Sequence, residues 1–116
     1  MKTYQELLAE TKARIKEISV KDAFALLHTT GDVVFLDVRE PQEYNLGKIP
    51  GAVTIGRSNL EKHVEAELPR DKTIIVYCSS GNRSAFAAVV LEEMGYDVRS
   101  LREGFSGWVA EGGDVE

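Results

Sequence analysis

The sequence predicts an α/β domain built on a central parallel sheet, and three features carry that expectation. Val33-Val34-Phe35-Leu36 and Thr73-Ile74-Ile75-Val76-Tyr77 are continuous apolar runs bounded by turn residues, the pattern of strands covered on both faces. Segments with helical periodicity alternate with them, and the most apolar, Ser84 to Met94, is nonpolar without interruption from Ala85 to Leu91. Strands that alternate with helices join by right-handed crossovers into a parallel sheet. At 116 residues, 43% hydrophobic and 28% charged, the chain is an ordinary globular domain with one core.

From Thr3 to about Lys16, the residues Tyr4, Leu7, Leu8, Thr11 and Ile15 recur at helical spacing, so the chain opens with a helix. Ile18 belongs to a short edge strand, after which Ser19 caps a helix through Leu27 and Gly31-Asp32 breaks it. The first buried strand follows at Val33, with Asp37 at its carboxyl end. A helical turn at Gln42 to Leu46 leads into the loop Gly47 to Gly51 and a short strand, Ala52 to Ile55. Ser58 is placed to cap a helix whose inner face is Leu60, Val64 and Leu68. Pro69-Arg70-Asp71 turns the chain into the second buried strand, which runs straight into Cys78. The apolar helix from Ser84 ends at Gly95, a C′ glycine. A last strand over Tyr96 to Leu101 and a closing helix over Gly104 to Ala110 complete the series. Residues 1–17 form a helical extension and residues 18–116 the domain itself.

Composition excludes several functions. Fourteen Lys and Arg against 19 Asp and Glu leave a net charge of −5, against the basic face that nucleic-acid binding requires. The longest apolar stretch is far short of the roughly 20 residues a spanning helix needs. The first ten residues carry Glu6 and Glu10 where a secretory signal has an apolar core, so a cytoplasmic location is expected, with no membrane partner. One cysteine forms no intramolecular disulfide, and with only His28 and His63 beside it a zinc cluster is not expected. Both histidines read as surface or packing residues. Nothing in the sequence signals an oligomeric state, a metal or a cofactor.

The chemistry concentrates at Cys78. In an open parallel sheet, ligands collect at the carboxyl ends of strands, where the next helix presents free backbone N–H groups. Cys78 stands at such an end, and Ser79, Ser80, Gly81, Asn82, Arg83 and Ser84 join the buried strand to the buried helix. Small and polar residues permit the curvature an amide cradle needs. The helix N-terminus and Arg83 favour negative charge, which brings a thiol pKa from about 8.5 into the range of ~3.5 to 7.5. A fall to ~6.5 raises the thiolate fraction at pH 7 from roughly 3% to roughly 75%, so the nucleophile needs no base. Taken by its number alone, a lone cysteine is more often a buried apolar residue; its neighbours argue otherwise.

From Ile18 to Trp108 the chain resembles a single-domain rhodanese, on several motifs in sequence: Asp37-Val38-Arg39-Glu40, Glu43-Tyr44, Gly47-Lys48-Ile49-Pro50-Gly51-Ala52, the Cys78 to Ser84 loop, and Gly104 with Trp108. The resemblance implies a three-layer fold with a five-stranded parallel sheet. It implies a cofactor-free sulfurtransferase in which Cys78 is the nucleophile and the amides of Ser79 through Ser84 stabilise a persulfide on it. The implied partners are a small-molecule donor such as thiosulfate or a persulfide and a thiol or cyanide acceptor, an acceptor protein being one form of the thiol. Ser79 stands where thiosulfate-using relatives often carry a basic or larger polar residue. Two alternatives stay open: a noncatalytic interaction module, whose versions commonly lack the cysteine, and phosphatase or arsenate reductase chemistry, which goes with a loop one residue longer. Asp37 and Arg39 read as structural, Tyr44 as a packing residue, Glu43 and Tyr44 both as outside the site, and Trp108 as a buried anchor.

Overall fold

The computed structural model describes residues 1–29 and 31–116, at positions 28 and 29 for the backbone alone, so the expectation for His28 lies outside the described residues. The two apolar runs become β2 (Val33–Asp37) and β4 (Thr73–Tyr77), paired in parallel from Val33 beside Thr73 to Asp37 beside Tyr77. β5 (Val98–Leu101) flanks β4 on the other side, β1 (Glu17–Ile18) lies outside β5, and β3 (Val53–Thr54) outside β2. The resulting order β1-β5-β4-β2-β3 is parallel throughout, and β4, equal in length to β2 and the more buried of the two, is central.

Among the described residues six α-helices surround the sheet: α1 (Tyr4–Arg14), α2 (Val20–Thr29), α3 (Pro41–Tyr44), α4 (Leu60–Glu67), α5 (Asn82–Glu93) and α6 (Gly104–Ala110). Alternation along β4 divides the core. Ile74, Val76 and Cys78 face a cluster with Leu8 and Ile15, with Leu60 and Val64 of α4, and with Ala85, Ala88 and Leu91 of α5. Ile75 and Tyr77 face the other cluster with Val20 and Ala23 of α2 and Trp108 of α6. Trp108, 1% exposed, stacks on Phe24 at 4.3 Å and donates Nε1–H to the Asp114 carbonyl, so it is the expected anchor. α1 lies against α5 and is fixed at its start by a capping box, Thr3 with Glu6. Its Tyr4 and Leu7, expected on the inner face, are exposed; Leu8, Thr11 and Ile15 are the buried set.

Several boundaries differ from expectation. Ser19 does cap α2, accepting the Asp22 N–H at 3.1 Å, but α2 continues to Thr29. Ser58 is not a cap: it sits within a 3₁₀ turn, Arg57–Asn59, and Asn59 precedes α4. α3 begins one residue early because Pro41 fits the first helical position, and Glu40 and Glu43 cap it reciprocally. β3 and β5 are shorter than predicted. Tyr96 is drawn off the strand to bond the Leu91 carbonyl and close α5.

Candidate active site

Cys78 follows the last residue of β4 and is 1% exposed, its side chain on the α5 face of the sheet. Helix α5 starts at Asn82, two residues before the position predicted for it, with Gly81 as N-cap. The shift has a chemical consequence: Asn82, Arg83 and Ser84 form the first helical turn, whose N–H groups have no partner within the helix. The Ser84 and Gly81 N–H groups each donate to Cys78 Sγ at 3.3 Å, and Ser84 Oγ stands 3.5 Å from it.

The cradle depends on two glycines with positive φ. Gly81 (φ 93°) packs on the Arg102 carbonyl so closely that a Cβ would strike it. Gly104 (φ 66°) opens α6, and a Cβ there would stand 2.5 Å from the Ser79 carbonyl oxygen. This close approach lets the Phe105 and Ser106 N–H groups donate to the Cys78 and Ser79 carbonyls at 2.8 and 3.0 Å. With its carbonyls held against α6, the loop turns its amides towards Sγ. Burial pushes the thiol pKa up, but the Ser84 hydroxyl and the amides of Ser84, Ser80 and Gly81 outweigh it and hold the thiol below its ordinary value. A thiolate at this position is an acceptor only, and its surroundings are donors.

Arg83, expected to bring positive charge to the thiol, has that charge paired. Its Nη1 and Nη2 donate to both oxygens of Glu43, at 2.7 and 2.8 Å, and Ser79 Oγ donates to the same carboxylate at 3.0 Å. Glu43 is therefore bonded to the Cys78 loop, although the sequence left it outside the site. Bonding to Arg83 brings its carboxyl down to about 2. The bidentate pair ties α3 to the loop and cancels the loop's only cationic charge, so the thiol's depressed pKa comes from hydrogen bonds to Sγ. The clue in the sequence was the acidic residue in the short turn after β2, but its reach to Arg83 depends on β2 and β4 being neighbours.

Beneath the site, Asp37 and Arg39 form a buried pair, with Arg39 Nη2 2.8 Å from Asp37 Oδ2 and donating to the Gly47 carbonyl at 2.7 Å. The Ile49 N–H donates to Tyr77 Oη at 3.1 Å. These bonds pin the Gly47 to Ala52 loop to the ends of β2 and β4, the structural role expected of them. His63 is exposed on α4.

A family model for the rhodanese-like domain matches residues 19–111, which takes in every strand but β1 and the whole of the Cys78 loop. The chain belongs to the rhodanese-like domain family. It is similar to a thiosulfate sulfurtransferase GlpE of Pseudoalteromonas translucida, 38% identical over 96 residues that cover 82% of this chain and 90% of that protein. It is also similar to a sulfurtransferase of Allochromatium vinosum, 33% identical over 99 residues, 84% of this chain and 92% of that one. Among solved structures, a rhodanese-related protein from Thermoplasma volcanium superposes with a TM-score of 0.80 at 33% identity, covering 87% of this chain and 97% of that one. A protein of unknown function from Rhodopseudomonas palustris, described as a possible tyrosine phosphatase, gives 0.88 at 35% identity over 100% and 96%. The five-stranded parallel sheet with its flanking helices is thus a rhodanese-like fold, and among the described residues no helix is long and apolar enough to cross a membrane.

Proposed function

We propose that this rhodanese-like domain is a sulfurtransferase that moves a sulfane sulfur from a thiosulfate or persulfide donor to a thiophilic acceptor through a persulfide on Cys78. The observation that carries this reading is the buried Sγ at the end of β4 with N–H donors from Gly81 and Ser84 directed at it. The Cys78 thiolate attacks the outer sulfur of the donor; an S–S bond forms, and the donor's own bond to that sulfur breaks with its electron pair leaving on sulfite or on a thiolate. The acceptor thiolate, or cyanide, then attacks the outer sulfur and returns Cys78 as thiolate. The charge on sulfur rises and falls within a fixed set of dipoles, which need no reorganisation during either step. Ser79, Ser80, Gly81, Asn82, Arg83 and Ser84 are the substrate-binding loop.

The neutral Glu43–Arg83 pair, with Ser79 in place of a basic or larger polar residue, supports a persulfide as the better donor than the thiosulfate dianion. A carrier that cycles through a free thiol suits a reducing compartment, consistent with a cytoplasmic location. The loop has four residues between Cys78 and Arg83, which favours sulfur over a tetrahedral oxyanion as its occupant. The test is product formation by the purified protein: thiocyanate from thiosulfate and cyanide, thiosulfate from glutathione persulfide and sulfite, and phosphate from an aryl phosphate. Sulfur transfer without phosphate release is the expected outcome. Phosphate release without sulfur transfer favours the phosphatase reading, and neither reaction favours the interaction module; each overturns the proposal.

A further inference from the structure

The buried side chains of polar or charged type among the described residues are Thr11, Asp37, Arg39, Ser84 and Ser100. Most are accounted for locally. Thr11 Oγ1 donates to the Leu7 carbonyl of its own helix at 2.9 Å, and Asp37 and Arg39 satisfy each other. Ser84 and Ser100 are different, because they bond to each other, with their Oγ atoms 2.9 Å apart, and Ser84 leads on to Cys78 Sγ at 3.5 Å. The three side chains come from α5, β5 and the end of β4, and all are shut off from solvent.

Register explains the meeting. Ser100 lies beside Val76 in the sheet, and Cys78 follows Val76 by two, so the Ser100 and Cys78 side chains stand on the same face, under the first turn of α5. That face is otherwise apolar: Val76 and Val98 border Ser100, and Ala87 and Ala88 belong to the same cluster. A hydroxyl placed there loses its hydration and offers packing no gain over a methyl group, so its use lies in the bond it makes.

The direction of that bond follows from the inventory of protons. A hydroxyl has one proton and two lone pairs, and a thiolate has no proton. With Cys78 ionised, the Ser84 hydroxyl donates to Sγ, and the Ser84 oxygen is left as an acceptor for the Ser100 proton. Donation from Ser100 polarises the Ser84 O–H and strengthens its bond to sulfur. With Cys78 neutral, the order reverses, S–H to Ser84 and Ser84 to Ser100, with no heavy atom displaced.

We propose that Ser100 is a positioning residue for Cys78, acting through the Ser84 hydroxyl to orient a proton onto the thiolate from the rear of the site, without touching Sγ or substrate. The consequence for sulfur transfer rests on the sulfurtransferase reading; the hydrogen-bond relay itself does not. The charged groups around this end of the sheet are Arg83 on α5, Glu40 and Glu43 facing it from the α3 turn, the Asp37–Arg39 pair on the opposite face, and Arg102 and Glu103 just after β5, which engage Glu17 and the Val20 N–H; each is held by partners other than Ser100.

The experiment is a titration of thiolate absorbance against pH in the wild-type protein, Ser100→Ala, Ser84→Ala, the double variant and Ser100→Thr, with persulfide loading from glutathione persulfide followed in each. Ser100→Ala is expected to raise the Cys78 midpoint by about 0.5 pH units, about threefold less thiolate at a pH well below the midpoint. Ser84→Ala raises it further, the double variant matches Ser84→Ala alone, and Ser100→Thr, which keeps the hydroxyl, restores the wild-type midpoint. A wild-type midpoint in Ser100→Ala overturns the proposal, as does a double variant whose shift is the sum of the two single shifts. If the midpoints move as expected but the wild-type protein takes up no sulfur, the relay stands and the sulfurtransferase reading falls; if sulfur loads normally and the midpoints do not move, the reverse holds.

Discussion

Glu43 offers a test of the site's architecture that does not depend on any substrate. Its carboxylate accepts two hydrogen bonds from Arg83 and one from Ser79, and its pKa falls from an ordinary 4.5 to about 2. Taken at face value the shift corresponds to about 3.4 kcal/mol. Arg83, however, is 42% exposed, and solvent screening reduces the contribution to about 1–2 kcal/mol. Because the folded-state pKa is depressed, this stability is fully present above 4.5 and is lost as pH falls through about 2. Urea unfolding of the wild-type protein and Glu43→Gln across the acidic range reads it directly. The variant should be about 1–2 kcal/mol less stable at pH 7, with the gap narrowing steadily below 4.5. A gap that does not change with pH, or no gap at pH 7, would refute the assignment of this ion pair as the clasp between α3 and the loop. The same variant releases the positive charge of Arg83, so its rate of loading by thiosulfate relative to glutathione persulfide should rise.

Arg83→Ala loses the clasp from the other side and should slow sulfur loading without abolishing it; kinetics unchanged at every donor concentration would contradict that role. Gly104→Ala places a Cβ against the Ser79 carbonyl at a positive φ, so a loss of at least about 2 kcal/mol in urea unfolding is expected, with wild-type stability as the contrary result. Asp37→Asn leaves Arg39, 4% exposed, without its buried counterion and should cost about 3–5 kcal/mol by the same measurement; a change below about 1 kcal/mol would mean that the pair holds little. The rate of Cys78 alkylation by iodoacetamide should rise with pH to a plateau whose midpoint lies below that of an ordinary thiol, since hydrogen bonds from Ser84 and the loop amides favour the thiolate; a midpoint at or above the ordinary value would contradict it.

The sheet was legible because β2 and β4 are uninterrupted apolar runs, and such runs have few alternatives once helices flank them. Cys78 was legible for a related reason: a residue following a buried strand and preceding a buried helix must lie at the sheet's carboxyl edge. The short elements were less so. Ser58 looked like a cap because capping residues carry a local signal, but the chain entering α4 makes a 3₁₀ turn first, and Asn59 takes the position. Tyr96 looked like strand because aromatic residues favour strands, yet the Leu91 carbonyl at the end of α5 claims its N–H. Glu43 and Ser100 were hidden from the sequence for a deeper reason. Each is tied to the Cys78 loop through a second residue, Arg83 in one case and Ser84 in the other, and each partnership crosses elements distant along the chain. No periodicity or spacing records that β2 and β5 both border β4; the strand order does.

Whether Cys78 carries sulfur is tested most directly by the intact mass of the reduced protein. After brief incubation with glutathione persulfide, and in parallel with thiosulfate, the wild-type protein should gain the mass of one sulfur atom, lose it on addition of cyanide, and gain nothing when Cys78 is replaced in Cys78→Ser. Equal uptake by Cys78→Ser, or no uptake by the wild-type protein from either donor, would contradict the persulfide account.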